Sequence, residues 1–221
     1  LCYDTIVAAI QGARRGYRSL LNQIVNQILF TGVEAFPLVG VIALVCGVTI
    51  VIQAMTNMPR IGVGEYFGNI LIVTVVRELG PFFTALVVIG RSGSALAAYI
   101  GNMRVTREIS ALEVMGIDPV HFMVVPAAWG LVVSMICLSV YFDVVGLVGG
   151  LLVAHVTGVT SNIPFGIFAG KVLQALTVRD ILISLAKSTV FGAVVAMVSC
   201  HYGLAVKTIR NVPQASIKSV V

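Results

Sequence analysis

Between Glu34 and Arg60 the chain carries 25 consecutive residues without a charged side chain, and between Asp118 and Asp143 another 24. A helix rises ~1.5 Å per residue, so either run is long enough to cross a hydrocarbon core of ~30 Å. Buried helices of water-soluble domains need only ~10–14 apolar residues. Neither run alternates apolar and polar residues, as a barrel strand would. Composition agrees: 58% of the 221 residues are hydrophobic and 10% are charged, against roughly 25% charged in soluble domains. The reading is an all-α, polytopic membrane helical bundle.

Charge spacing divides residues 1–221, read as a single domain, into four spans at 35–56, 66–89, 120–155 and 181–206. The third is too long for one upright helix and calls for tilt or a kink near Gly146, Gly149 and Gly150. Ahead of the spans, residues 5–30 set Tyr17, Leu20, Leu21, Ile24, Val25, Ile28 and Leu29 at helical spacing, with Asn22, Gln23, Asn26 and Gln27 between them. That pattern predicts an interfacial helix with Arg14, Arg15 and Arg18 near anionic headgroups. Residues 157–164 read as a loop and 165–176, containing Lys171, as a short amphipathic helix.

Orientation follows from the lysines and arginines. With the N-terminus, the 101–120 segment and the tail in the cytoplasm, eight basic residues lie there: Arg14, Arg15, Arg18, Arg104, Arg107, Lys207, Arg210 and Lys218. The opposite side receives three, Arg60, Lys171 and Arg179. The net charge of +5 is accounted for by this asymmetry, without a nucleic-acid partner. The chain opens at Leu1 rather than Met, so its natural start is expected to be missing.

The second span is interrupted by adjacent charges, Arg77 and Glu78. An ion at such depth costs at least ~2.5 kcal/mol by insertion scales, so the pair is expected to face a cavity or a partner. Pro81 has no N–H for the carbonyl of Arg77, four residues back, which leaves an acceptor that water, ligand or protein must satisfy. Lys187, inside the fourth span, has a side chain long enough to reach toward Glu78. The small residues Gly90, Ser92, Gly93, Ser94, Ala95, Ala97 and Ala98 suit close helix packing.

Residues 104–116 form a charged amphipathic segment. Val105, Ile109, Leu112 and Gly116 share one face, with Arg107, Glu108 and Ser110 mostly off it. Ser110 to Glu113 has capping-box form, and Gly116 followed by Pro119 is a stop signal. A short cytoplasmic helix between two spans is a means of docking a partner.

Several other patterns lead nowhere. Cys2, Cys46, Cys137 and Cys200 have neither CxxC nor metal-ligand spacing, and His121, His155 and His201 share no ligand spacing. Gly166 to Lys171 is one residue short of a P-loop and lacks its Ser or Thr. Gly90-Arg91-Ser92-Gly93 resembles the GxSG of rhomboid intramembrane proteases, and Ala154-His155 resembles part of their histidine helix. A Ser–His pair must come within hydrogen-bond reach, whereas this topology sets Ser92 and His155 at opposite ends of spans ~30 Å long.

The ordered string RELGPFFTALVVIGRSGSALAAYIGNMRVTREISALEVMGIDPVHFMVVPAAW, residues 77–129, closely resembles the core signature of the MlaE/YrbE permeases, membrane subunits of MCE-type ABC lipid transporters. Similarity continues through Lys187 to Gly192 and Cys200 to Leu204, covering about residues 5–221. The resemblance implies a homodimeric, multi-pass permease of the bacterial inner membrane, moving phospholipid in the upkeep of outer-membrane lipid asymmetry. It implies a lipid cavity with Arg77, Glu78, Pro81 and Lys187 at its polar positions. It implies ATPase subunits docked on 104–116 as a coupling helix, through Arg104, Arg107, Glu108, Leu112, Glu113 and Gly116. ATP and Mg would sit on that partner, leaving no cofactor, metal or catalytic residue on this chain. A periplasmic MCE-domain protein and a small STAS-type subunit are further implied partners. Family members carry a fifth span, expected beyond residue 221, so the chain is expected to be truncated at both ends. Tyr99 departs from the family pattern. The alternative from the residues themselves is a secondary transporter with Glu78, Arg77 and Asp143 as a proton relay, although no repeat relates two halves of the chain.

Overall fold

A computed structural model describes residues 24–25, 27–61, 72–116, 118–156, 170, 174, 176–206 and 212–221. Among them there is no strand. Four helical runs are long and apolar enough to cross a membrane: Leu29–Gln53, Val73–Val105, Phe122–Gly150 and Val178–Leu204. The architecture is an all-α polytopic bundle.

The α-helices are α1 (Glu34–Ile61), α2 (Gly80–Val88), α3 (Ser94–Val105), α4 (Glu108–Val114), α5 (Val125–Val156), α6 (Val178–Leu204) and α7 (Val212–Lys218). Wider π-helical turns lead into four of them: Leu29–Val33 before α1, Val73–Leu79 before α2, Ile89–Gly93 before α3 and Val120–Val124 before α5. Three of these turns precede a proline, Pro37, Pro81 or Pro126. A proline withdraws a donor from the i→i−4 ladder, and a shift to i→i−5 bonding absorbs the mismatch. Gly80 shows the shifted register, its N–H bonding to the carbonyl of Val75.

Two expected boundaries change. The second span does not stop at residue 89, because Ile89–Gly93 shifts register without breaking the helix, which continues to Val105. The 104–116 segment is not one helix. Arg104 closes α3, a turn follows at Thr106 and Arg107, and α4 starts at Glu108. Most of the 5–30 helix, the 157–164 loop and nearly all of 165–176 lie outside the described residues. The tail contributes a helix, α7, that the charge pattern did not reveal.

The chain divides into two compact units. One consists of Leu1–Ala35, Ala85–Met135 and Thr189–Val221. Its core holds Val88, Ala97, Ile100, Leu131, Met135, Ala196 and Cys200, each no more than 1% exposed. Close helix contact explains several of its glycines. A Cβ at Gly203 would lie 2.8 Å from Ile100 and 3.0 Å from the Ala97 carbonyl, and one at Gly93 would meet Ser199 Oγ at 3.0 Å. α7 is tied to α3 by Ser216, whose hydroxyl donates to the Ser94 carbonyl at 3.0 Å.

The other unit consists of Phe36–Thr84 and Ile136–Ser188. Val39, Ala43, Val51, Ile72, Val75 and Phe142 form its core. Here α1 and α5 touch main chain to main chain. A Cβ at Gly47 would overlap the Gly146 carbonyl, and one at Gly150 would lie 2.7 Å from the Gly47 carbonyl. Gly146 and Gly150 thus form a small-xxx-small face, and α5 runs as one α-helix, Val125–Val156, through Gly146, Gly149 and Gly150, where tilt or a kink is expected. Ser188 donates to the Ser184 carbonyl at 2.9 Å and accepts from the Ser139 hydroxyl at 2.8 Å, satisfying a buried polar seam.

Gly150→Leu is expected to destabilise the protein by about 3 kcal/mol, the upper end of overpacking effects, because the obstructing atoms are backbone. Gly149→Ala meets only the Leu44 side chain at 3.4 Å and is expected to shift thermal unfolding in nanodiscs little.

Candidate functional site

The π-turn Val73–Leu79 presents Arg77 and Glu78 next to the buried Pro81. Lys187, from α6, bridges this turn: its ammonium donates to Glu78 Oε2 at 2.7 Å and to the Arg77 carbonyl at 3.1 Å. That carbonyl is the acceptor Pro81 cannot serve, so a side chain from another helix replaces the missing backbone donor. Arg77 Nε stands 4.0 Å from Glu78 Oε1, too far for a hydrogen bond, and is buried with no hydrogen-bond partner. The cluster contains two cations and one carboxylate. It opens outward rather than being sealed: Glu78 is 57% exposed, Arg77 35% and Lys187 33%.

Asp143, on α5, is placed against the same turn. A Cβ on Gly80 would overlap Asp143 Oδ1, so glycine is what allows the carboxylate so close. Asp143 Oδ1 is also buried without a hydrogen-bond partner, as is Thr84 Oγ1.

A second cluster of the same construction was missed by sequence reasoning. Arg91, in the π-turn Ile89–Gly93, donates through Nη2 to Glu34 Oε2 at 2.7 Å and through Nη1 to the Glu34 main-chain carbonyl. Glu34 and Pro37 stand in the same Glu-x-x-Pro spacing as Glu78 and Pro81. In both, an acidic residue three positions before a proline receives a cation from another span on its carboxylate, and that cation also takes a carbonyl. The repeat of Glu-x-x-Pro was the available signal. Ser94 contributes similarly, its hydroxyl donating to the Gly90 carbonyl at 2.7 Å, because the Ser94 N–H bonds instead to Arg91 and Ile89. Ser92 is 1% exposed and packed. The side chain of His155 lies outside the described residues.

The 104–116 residues occupy a helix end, a turn and a short helix. Arg107 adopts φ 62°, a left-handed conformation that turns the chain between α3 and α4 and is uncommon outside glycine. Thr106 steadies the turn, donating to the Asn102 carbonyl at 3.1 Å and contacting Glu108 Oε1 at 2.9 Å. Gly116 ends the segment with φ 75°. Ile109 is buried, Leu112 half-buried, and Arg104, Arg107, Glu108 and Glu113 exposed. Val114 and Met115, which the helical face pattern did not single out, are 89% and 64% exposed. Among the described residues no group of His, Cys, Asp or Glu is arranged to hold a metal ion.

Lys187→Met removes both bonds at the proline turn and is expected to destabilise the protein by ~1–3 kcal/mol. Pro81→Ala returns a main-chain donor to the turn, so Lys187→Met should cost measurably less in that background. A double-mutant cycle on unfolding in nanodiscs reads the coupling, and strict additivity would disprove the link between Lys187 and the proline.

The family described as "Permease MlaE" matches residues 24–221. A probable ABC transporter permease protein of Rickettsia typhi is 31% identical over 91% of this chain and 77% of its own length. A probable ABC transporter permease protein of Synechocystis sp. is 33% identical over 92% of this chain and 79% of its own. The intermembrane phospholipid transport system permease protein MlaE of Haemophilus influenzae is 31% identical over 90% of this chain and 76% of its own. The likenesses are to transport subunits rather than to proteases, and they extend over nearly the whole chain. By its sequence, this chain belongs to the MlaE permease family.

Proposed function

We propose that the chain is the membrane subunit of an ATP-driven phospholipid transporter, that two copies enclose the lipid, and that ATP is hydrolysed on a cytoplasmic partner. The observation that carries the lipid reading is the Arg77–Glu78–Lys187 cluster, with two cations to one carboxylate and an unpartnered Arg77 Nε. Two cations in apolar spans suit a phosphate headgroup, which Arg77 and Lys187 would hold while the surrounding spans accommodate the acyl chains. Glu78 keeps Lys187 paired in the absence of phosphate and gives the site a carboxylate that competes with the headgroup, favouring release over permanent capture.

Membership among proteins named ABC transporter permeases supports an ATPase partner. The α3–α4 turn supplies the docking surface: exposed charges at Arg104, Arg107, Glu108 and Glu113, and an exposed apolar tip at Val114 and Met115. The left-handed Arg107 and the glycine stop at Gly116 hold α4 between two spans, so a push on α4 reaches both. A periplasmic MCE-domain protein and a STAS-type subunit complete the proposed assembly, which lies in a bacterial inner membrane.

Two sets of variants separate cargo from motor. Arg77→Ala with Lys187→Ala is expected to reduce phospholipid co-purified with the complex about tenfold, equivalent to ~1.4 kcal/mol, as read by mass spectrometry, with ATPase subunits still bound. Glu108→Lys with Leu112→Asp is expected to abolish ATPase co-purification while bound lipid remains. Retained ATPase in the second pair would overturn the docking assignment, and unchanged lipid in the first would overturn the headgroup assignment.

A further inference from the structure

A cavity of about 490 Å³ opens within the unit that contains Tyr99. Its walls come from the start of the first span (Gln27, Phe30), from α3 (Leu96, Tyr99, Ile100, Met103) and from the start of the third span (Phe122, Met123, Pro126, Ala127). None of these residues belongs to the Arg77–Lys187 cluster. The space has an identifiable origin. Ala95 and Ala127 put minimal side chains on its walls, and Pro126 follows the π-turn Val120–Val124, where the helix is wider. A Cβ at Gly130 would lie 2.6 Å from Gln27 Cβ and Cγ, so that glycine lets Gln27 lie against α5.

The chemistry of the walls defines the ligand. The size falls within the ~300–1,000 Å³ of small-molecule sites, yet no charged residue lines the cavity. Its polar groups are the Gln27 amide, engaged with Thr31 Oγ1 at 3.3 Å, and the Tyr99 hydroxyl. The remainder is aliphatic, aromatic or thioether, and two methionines give walls that adapt to a flexible chain. Position supplies the source. The three wall segments are the start of one span, the end of the next and the start of the third, so the opening lies at one membrane face. Tyr99 and Trp129 are 62% and 52% exposed, as expected of aromatic side chains at an interface. The medium outside is therefore the outermost hydrocarbon of one leaflet.

We propose that this cavity holds one acyl chain of a phospholipid from the leaflet bordering α4, with Tyr99 at its mouth beside the glycerol level. Tyr99 thereby acquires a role: its ring walls the chain and its hydroxyl faces the polar boundary. The inference is independent of the cargo reading, because the lipid is held without reference to ATP or to the Arg77 cluster.

The test uses the whole protein in nanodiscs of phosphatidylethanolamine and phosphatidylglycerol, doped with a phosphatidylcholine carrying a diazirine on one acyl chain. After irradiation, adducts on peptides containing Met103 and Met123 are expected to exceed those on the lipid-exposed Val144 and Val148 by about tenfold, the ratio for ~1.4 kcal/mol of preference. Ala127→Phe fills the cavity and should bring the two to parity, leaving Val144 and Val148 adducts unchanged. Ala95→Leu serves the same purpose should the first variant lose monodisperse elution. Equal labelling along all lipid-exposed positions, or labelling indifferent to both filling variants, overturns the proposal. So does labelling by diazirine-bearing palmitate without labelling by the phospholipid.

Discussion

In a hydrocarbon medium a main-chain carbonyl with no donor is expensive, and water is not at hand to supply one. This chain places prolines at 37, 81 and 126, at or near the beginning of three α-helices within its spans. The helices widen into π-turns, and polar side chains take main-chain carbonyls at or beside these turns. Lys187 serves the Arg77 carbonyl, Ser94 the Gly90 carbonyl and Arg91 the Glu34 carbonyl. The charges inside the spans are therefore tied to backbone geometry. Having been drawn in by a carbonyl, each cation also finds a carboxylate three residues before a proline. At Pro81 structure and candidate function share one cause: the proline that breaks the ladder frees the Arg77 carbonyl that Lys187 takes.

Much of this was legible in the residues. Charge-free runs set the number of spans, because membrane thickness sets their length. Pro81 and its frustrated carbonyl could be read directly, since the offset of four is a property of every α-helix. Lys187 was recognisable as a partner for Glu78 from its place in the fourth span. Other features were hidden for physical reasons. Gly90 to Gly93 reads as a break, because glycine disfavours α-helix, yet a π-register keeps the helix continuous. The turn at Arg107 was invisible because a left-handed arginine has no sequence signal, and glycine would have announced it. Glu34 was read as the end of a charge-free run rather than as half of an ion pair, because its partner is 57 residues away.

The two units use small residues differently. In the unit containing Ser92, glycine and alanine bring helices together around side chains such as Ile100 and Val195, with the closest main-chain approaches to the described glycines at the Ala97 carbonyl and Val132 Cα. In the unit containing Asp143, Gly47, Gly146 and Gly150 bring two backbones into direct contact. That difference matters for what can move. Side-chain packing can exchange rotamers, whereas touching backbones have nothing between them to rearrange.

The α1–α5 crossing therefore behaves as a stiff strut, and compliance within that unit falls to the helix that carries Arg77. A π-turn contains one residue more than an α-turn, and this surplus can travel along a helix like a fold in a carpet as successive N–H groups trade one carbonyl for the next. Each step rotates a passing side chain by about 100°, the angular spacing of residues around a helix. A single step at Val73–Leu79 would take Glu78 off Lys187 and swing Arg77 to a new bearing, with no helix having to slide.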